Sequence, residues 1–441
     1  MSEWVESPLG RLAVMRRGVG YTERTLRMRP DQGVPYLNMK SFLKDGGYNR
    51  NGLKYFAGRF AEGDVALAGD VLVANTDVTP TGDIIGVPAL LPTELQMSGA
   101  LYSHHVTRIR PAPGLLPQFL HFALCLQSSR SAMLRIARGT TVLMLDATAL
   151  KRVLVRFPVE LAAQKRIATI LTSLDAAIEK TEALIEKHQQ IKAGLMHDLF
   201  TRGVLPSGEM RPARSEVPAM YRQWKLGWLP SEWQCEPLGG LAQIVSGVTL
   251  GSSTGSVGTL TAPYLRVANV QDGYLDLGDV KTIRITAATL EQLRLQVGDV
   301  LMNEGGDFDK LGRGTMWAGE IEDCVHQNHV FRVRADPLRL LPQYLALHSE
   351  ADYGKRYFLL SSKQSTNLAS INSTQLKAYP IALPTLHEQA RIVERLSAAK
   401  ARLQTLLAES DKLRAQKLGL MQDLLTGNVP VKLPEPATVP A

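Results

Sequence analysis

The sequence predicts two tandem copies of one unit, each an α/β (α+β) globular domain followed by a long coiled-coil helix. Three observations predict it. The chain repeats itself with a period near half its length, the repeat is tightest over two segments with heptad-like apolar spacing, and the remainder mixes alternating strand patterns with short helices. At 441 residues the chain exceeds one ordinary core and fits two or three domains.

The repeat comes first because it organises everything else. Residues 158–201 and 384–426 share Arg166-Ile167 and Arg391-Ile392 at an offset of 225 residues. At the same offset, Lys192-x-Gly194-Leu195-Met196-x-Asp198-Leu199-x-Thr201 matches Lys417-x-Gly419-Leu420-Met421-x-Asp423-Leu424-x-Thr426. Upstream the likeness is weaker but keeps its order. Trp4…Pro8-Leu9-Gly10 matches Trp233…Pro237-Leu238-Gly239, Gly69-Asp70-Val71-Leu72 matches Gly298-Asp299-Val300-Leu301, and His105-Val106-x-Arg108-x-Arg110 matches His329-Val330-x-Arg332-x-Arg334.

The two tight segments read as helices. Ile167, Leu171, Leu174 and Ile178 in one, and Ile392, Leu396, Ala399, Leu403 and Leu406 in the other, recur in steps of four and three. Thr181, His188 and Lys192 interrupt the first seam, and Ser410 and Lys417 the second. Thr385-x-x-Glu388 predicts a capping box, and Gly203 and Gly427 predict helix stops. A rod of some 40 residues, about 60 Å long, needs a partner helix, and the other copy is the obvious one. Gly194 and Gly419 each cost a helix about 1 kcal/mol relative to Ala, which points to close backbone approach by the sister helix or a partner protein.

The globular parts show alternating strands at 70–73, 299–302 and 330–334, and short helices opening on Pro117 and Pro342. The resulting boundaries are a globular domain at 1–157, a helix at 158–203, a linker at 204–227, a second globular domain at 228–383, a second helix at 384–427 and a Pro-rich disordered tail at 428–441.

Composition narrows the function. Lys plus Arg is 50 against 42 acids, a net +8 that permits a polyanionic partner without requiring one. Three scattered cysteines with no CxxC argue against a disulfide framework or zinc ribbon and fit a reducing cytoplasm. Acids stand where a signal peptide would be basic, and no apolar run approaches the roughly 20 residues that span a bilayer. There is no phosphate loop, no dinucleotide fingerprint and no Asn-Pro-Pro-Tyr cluster for amino methylation, and a nuclease centre at Pro30-Asp31 lacks its following acid and lysine. Cys324-x-His326-x-x-His329 has metal-like spacing but lacks a fourth ligand. No catalytic residue and no metal ligand are therefore expected.

Binding surfaces are easier to find. Residues 38–55 interleave Lys40, Lys44, Arg50 and Lys54 with Tyr48 and Asn49. Arg135, Arg138, Thr140 and Thr141 occupy a place in the first half that Lys363, Gln364, Ser365 and Asn367 occupy in the second, and Arg266, Lys310 and Arg313 join them. Arg forks onto guanine, Asn and Gln onto adenine, while Lys, Ser and Thr hold phosphates. The bland alternative for each residue is a solvated loop; recurrence in both halves weighs against it.

Together, two divergent domains alternating with two similar helices, each opening near Pro-x(4–5)-Gln-x-Arg-Ile and closing on Lys-x-Gly-Leu-Met-x-Asp-Leu-x-Thr, resemble the specificity subunit of type I restriction-modification systems. The resemblance spans essentially the whole chain. It implies two target recognition domains held apart by two antiparallel coiled-coil helices about a pseudo-twofold axis, each reading half of a bipartite, asymmetric DNA target. It also implies two methyltransferase subunits docked on the helices around Gly194, Leu195, Met196, Gly419, Leu420 and Met421, and two restriction subunits beyond them. S-adenosylmethionine, ATP and Mg would then belong to those partners, with no cofactor in this chain, and the assembled complex would methylate adenine and cleave DNA. The short lead before Trp4 and the glycine-rich 246–258 insert depart from a perfect repeat. A solitary specificity subunit retuning another methylase, a coiled-coil protein adaptor, and an enzyme in its own right are the competing readings.

Overall fold

A computed structural model describes residues 3–79, 81–224, 227–251, 258–306, 311–312, 314–364 and 369–433. The chain forms two compact units, Met1–Ala183 with Ala408–Ala441, and Leu184–Leu407. Both boundaries fall inside long helices, Leu161–Thr201 and Leu386–Thr426, each of 41 residues. Each unit therefore contains a globular part, the start of its own helix and the end of the other copy's helix.

The first unit is built on a four-stranded antiparallel sheet in the order Ala13–Arg17, Val106–Pro111, Val71–Ala74, Pro88–Leu90. The second unit repeats it as Ala242–Ser246, Val330–Ala335, Val300–Asn303, Gly314–Met316. A ribbon closes each globular part, Trp4–Pro8 with Leu154–Pro158 and Gln234–Pro237 with Pro380–Leu383. A parallel pair recurs as Val34–Leu37 with Ala100–Tyr102 and as Thr259–Leu265 with Val325–His326. Around that pair the units diverge. The first adds Leu26–Arg27, Lys54–Phe56 and Val65–Ala66, and the second adds Lys281–Thr286 and the helix Ala287–Leu293.

The repeated motifs explain themselves in buried chemistry. Asp70 lies buried beneath the Arg110 fork, whose Nε and Nη2 donate to both carboxylate oxygens at 2.7 Å. Asp299 and Arg334 do the same at 2.7 and 2.8 Å. The companion arginines cap loops: Arg108 donates to the carbonyls of Gly63 and Val65, and Arg332 to those of Gln292 and Arg294. These arginines hold the scaffold together.

The Gln of the helix-opening motif has an equally specific duty. Gln164 is fully buried; its Oε1 accepts from Leu116 N–H at 2.8 Å and its Nε2 donates to the carbonyls of Gly114 and Pro158 at 2.9 and 2.8 Å. Gln389 accepts from Leu341 N–H at 2.9 Å and donates to Arg339 and Pro384 at 2.9 and 3.0 Å. Only an amide offers an acceptor and two donors on a stem of this length, so Gln staples each helix to its own globular part.

Each helix then ends against the other copy's globular part. Ile167 and Leu171 share the first unit's core with Met421, Leu424 and Leu425, and Ile392 and Leu396 share the second with Met196, Leu199 and Phe200. Within each unit the two helix segments run antiparallel, as the pairs Lys417–Asp175 and Arg414–Glu182 show in the first. The terminating Gly203 and Gly427 have φ of +67° and +76°. A Cβ on Gly427 would lie 2.8 Å from the Trp4 ring, and one on Gly203 would meet Glu388 and Trp233, so both the backbone conformation and the close approach require glycine.

The polar breaks in the seams are accommodated individually. Thr181 and Ser410 are buried, Thr181 bonding back to the Ala177 carbonyl at 2.9 Å. Lys192 pairs with Glu350 at 2.6 Å and Lys417 with Asp175 at 2.5 Å. The expected capping box is only half formed. Thr385 Oγ1 accepts from Glu388 N–H at 3.3 Å, but the Glu388 carboxylate turns inward. It is buried, where it takes the Arg211 guanidinium, Val204 N–H at 2.8 Å and Trp233 Nε1–H at 3.2 Å. Residues 204–224 therefore pack within the second unit, and Tyr221–Trp224 pairs antiparallel with Gly227–Pro230.

Candidate nucleic-acid interface

A three-stranded mini-sheet stands apart from the main sheet in each unit. In the first, Ala137–Arg138 pairs with Leu143–Leu145, which pairs with Thr76–Asp77. In the second, Lys363–Gln364 pairs with Ala369–Ser370, which pairs with Gly305–Gly306. The backbone connections match as well: Leu145 N–H donates to Asn75 O in one, and Ile371 N–H to Glu304 O in the other, both at 2.8 Å. The hairpins that the sequence places at equivalent positions are thus the same element.

In the first hairpin Arg138, Thr140 and Thr141 are exposed. The sequence reading missed their apolar neighbours. Val142 and Met144 are 42% and 41% exposed on the same hairpin, and Arg17 reaches from the main sheet to within 3.8 Å of Met144 Sδ. The unbroken apolar run Val142-Leu143-Met144-Leu145 directly after Thr140-Thr141 is the signal that could have found them. Arginine, hydroxyl and apolar groups on one protruding hairpin suit a base-pair edge, where the thymine methyl offers apolar contact.

The 38–55 loop divides into framework and free groups. Asn49 is framework, because it donates to Lys40 O at 3.0 Å and accepts from Asn51 N–H at 3.2 Å. Tyr48 is half-buried against the local core of Leu37, Phe42 and Tyr102. Lys44 pairs with Asp83 and Arg50 with Glu94, each at 2.6 Å, with both cations well exposed. Such pairs are worth up to about 1 kcal/mol, so a phosphate can replace the carboxylate. Lys40 is exposed and Lys54 half-buried, neither with a side-chain partner among the described residues. In the second unit Arg266 is half-buried and donates to the Asp279 carboxylate and carbonyl, both at 2.8 Å. Asn49 and Arg266 are therefore tied into turns. Lys310, Arg313, Ser365 and Asn367 lie outside the described residues, as do residues 252–257 of the glycine-rich insert and 434–441 of the tail; Lys363 and Gln364 are placed by backbone alone.

The metal-like spacing does not converge. His326 Nδ1 lies 2.6 Å from Val330 O, His329 bonds Glu304 at 2.6 Å, and the Cys324 thiol donates to Val325 O. Burial lowers His326 to about 4 and raises Cys324 to about 12. Among the described residues no group of His, Cys, Asp or Glu could hold a metal ion, and no helix is long and apolar enough to cross a membrane.

The helix-end motif splits in the same way. Met196 and Met421 are buried in their own units' cores, and Leu195 and Leu420 pack beside them. Those four build the scaffold, and the two methionines have no surface left for a partner. Gly194 and Gly419 are exposed, and a Cβ on either would meet nothing within 4 Å, which removes close approach of the sister helix as their explanation. Leu418, beside Gly419, is 70% exposed.

The chain matches the family model of the type I restriction modification DNA specificity domain over residues 1–188 and 230–413. It is 23% identical over 432 residues to the StySPI specificity subunit of Salmonella potsdam, covering 96% of this chain and 87% of that one. Likeness to the EcoKI specificity subunit of Escherichia coli K12 is 21% with the same coverage. Its fold is similar to the crystal structure of a type I restriction-modification S subunit from M. genitalium, with a TM-score of 0.56, 15% identity and 96% of both chains covered.

Proposed function

The chain belongs to the type I restriction modification DNA specificity family, and from that premise we propose that it reads a bipartite, asymmetric DNA target, one half per unit, for methyltransferase and restriction subunits that carry the chemistry. One observation supports this best. What the two units share is buried framework, the Asp–Arg forks and Gln staples, whereas the residues carried on the same mini-sheet differ, Arg138, Thr140, Thr141, Val142 and Met144 in one unit and Lys363–Gln364 in the other. A common scaffold with different hairpin sequences is what two different half-sites require.

Lys40, Lys44 and Arg50 would hold phosphates, and the hairpins would enter a groove. Gly194 and Gly419 would lie under a partner helix, since their open surface admits a backbone at short range. No residue of this chain is assigned a catalytic role; S-adenosylmethionine, ATP and Mg are assigned to the partner subunits.

The test is a methylation map. The chain is co-expressed with the methyltransferase encoded beside it in a methylation-free host, and N6-methyladenine is located genome-wide. A two-part motif with a fixed gap is expected, and exchanging residues 137–145 should change one half only. Methylation of the same motif without this chain would refute the assignment and favour an adaptor role.

A further inference from the structure

The two units also differ beside the end of the second long helix. In the first unit a 540 Å³ pocket opens beside the helix Gln127–Ile136, and Leu425 and Thr426 from the end of the second long helix form part of its wall. Its floor is apolar, with Leu126, Ala132, Val153 and Val155 among the lining residues. Three arginines, Arg135, Arg152 and Arg156, line it together with one acid, Glu6. All three arginines are exposed, and none makes a side-chain hydrogen bond or ion pair among the described residues; Arg156 lies 5.7 Å from the Trp4 ring centre.

The second unit shows what this space accommodates. Helices Pro117–Cys125 and Gln127–Ile136 correspond to Pro342–Glu350 and Asp352–Ser361 at the 225-residue offset. Beyond the hairpin the offset is 226, as the helix caps Asp146 and Asn372 show. Ser128, Ala132 and Val153 are thereby replaced by Tyr353, Tyr357 and Tyr379, and Arg135, Arg152 and Arg156 by Leu360, Ala378 and Ala382. Tyr379 is fully buried with its ring centre 5.0 Å from that of Tyr357, and Tyr353 and Tyr357 pack on the same core. One unit fills the space with its own aromatic rings and carries Leu360, Ala378 and Ala382 where the other has arginines. The other leaves the space open and surrounds it with unpaired cations.

We propose that this pocket of the first unit is a docking site for an acidic segment of the methyltransferase subunit that inserts an aromatic side chain. The inference rests on the partner assignment made above and adds an asymmetry to it: the two methyltransferases are held differently, one of them with this extra anchor. Charge complementarity selects an acidic segment, and the tyrosines of the other unit show that the space suits a ring. A DNA backbone fits less well, because phosphates would meet the arginines but leave the apolar floor unfilled. Proximity to Leu425 and Thr426 sets the pocket next to the helix end that carries Gly419, on the surface assigned to the same partner.

The test is native mass spectrometry of the full chain co-expressed with its methyltransferase, with titration to obtain the two affinities. In S128Y/A132Y the pocket carries the other unit's rings; in R152E/R156E its rim is reversed at exposed positions that leave folding intact. For both variants one methyltransferase should bind as in the wild type and the other about 10- to 100-fold more weakly. Two copies bound with wild-type affinities to both variants would overturn the proposal. So would a lower salt slope for DNA binding by R152E/R156E with assembly unchanged, which would make the arginines phosphate contacts. A wild-type chain that binds no methyltransferase would instead overturn the partner assignment itself.

Discussion

Replacing the stapling glutamines should cost more than their number of contacts suggests. Gln389→Leu removes one acceptor and two donors and leaves Leu341 N–H and the carbonyls of Arg339 and Pro384 without these partners, the first two partly buried and the third fully. Each unsatisfied group costs about 1–3 kcal/mol, and the added apolar burial returns about 1–2 kcal/mol, so three groups give a net loss within about 1–8 kcal/mol, at the lower end because two of them are only partly buried. Gln164→Leu should lose a similar amount, since Gln164 serves Leu116, Gly114 and Pro158 with the same geometry. Glutamate is the sharper probe. Gln389→Glu keeps the acceptor but sets carboxylate oxygens against two carbonyls, so its loss should be larger at pH 7 and partly recover near pH 4, where protonation supplies one donor. Urea unfolding followed by tryptophan fluorescence reads both, with Trp4 reporting on the first unit and Trp233 and Trp317 on the second. A loss below about 0.5 kcal/mol for leucine, or a glutamate variant as stable as wild type at pH 7, would refute the stapling argument.

Three further outcomes are expected. Asp70→Asn and Asp299→Asn should each destabilise by about 1–3 kcal/mol in the same urea assay, because each removes a buried charge facing an arginine fork whose outer side is partly solvated. Burial holds His121 and His326 at about 4 and His348 at about 3, below the ordinary value of 6.5, so the unfolded chain binds more protons between about pH 6.5 and 4. Stability should therefore be complete above pH 6.5 and fall by about 2 kcal/mol per histidine by pH 5, a slope that His348→Gln should reduce. Glycine substitutions should separate in sign: Gly194→Ala and Gly419→Ala should raise stability by up to about 1 kcal/mol, whereas Gly427→Ala, with a positive φ and the Trp4 ring in the way, should lower it by about 2 kcal/mol. Thermal melts of the three variants check this ordering.

Much of this architecture was legible because the repeat preserves buried chemistry. Gln164 and Gln389, or Asp70 and Asp299, recur since no other side chain satisfies the same backbone and guanidinium groups. The proline-led helices followed from the fixed φ of proline, and strands formed at 71–74, 300–303 and 330–335 where alternation was expected, although the first two bury every residue rather than alternating. What stayed hidden depends on long-range encounters. Glu388 reads locally as a capping residue, and only folding brings Arg211, Val204 and Trp233 to it. Asn49 and Arg266 have the right chemistry for reading bases, but their hydrogen bonds to Lys40 O and Asp279 are invisible to spacing. Val142 and Met144 read as ordinary strand residues until the hairpin is seen to expose them. Gly194 and Gly419 signal a special backbone environment without saying that it is open surface.

The docking of the last-made helix end on the first-made globular part has a consequence for biosynthesis. The second unit is one continuous stretch, Leu184–Leu407, whereas the first must wait for Met421, Leu424 and Leu425 to complete its core. Translating residues 184 to 425 takes roughly 10–50 s at about 5–20 residues per second, and for that time the amino-terminal domain presents an unfinished apolar face on the ribosome. A premature stop codon between residues 408 and 421 would accordingly damage the domain encoded at the opposite end of the gene, and leave the nearer one intact.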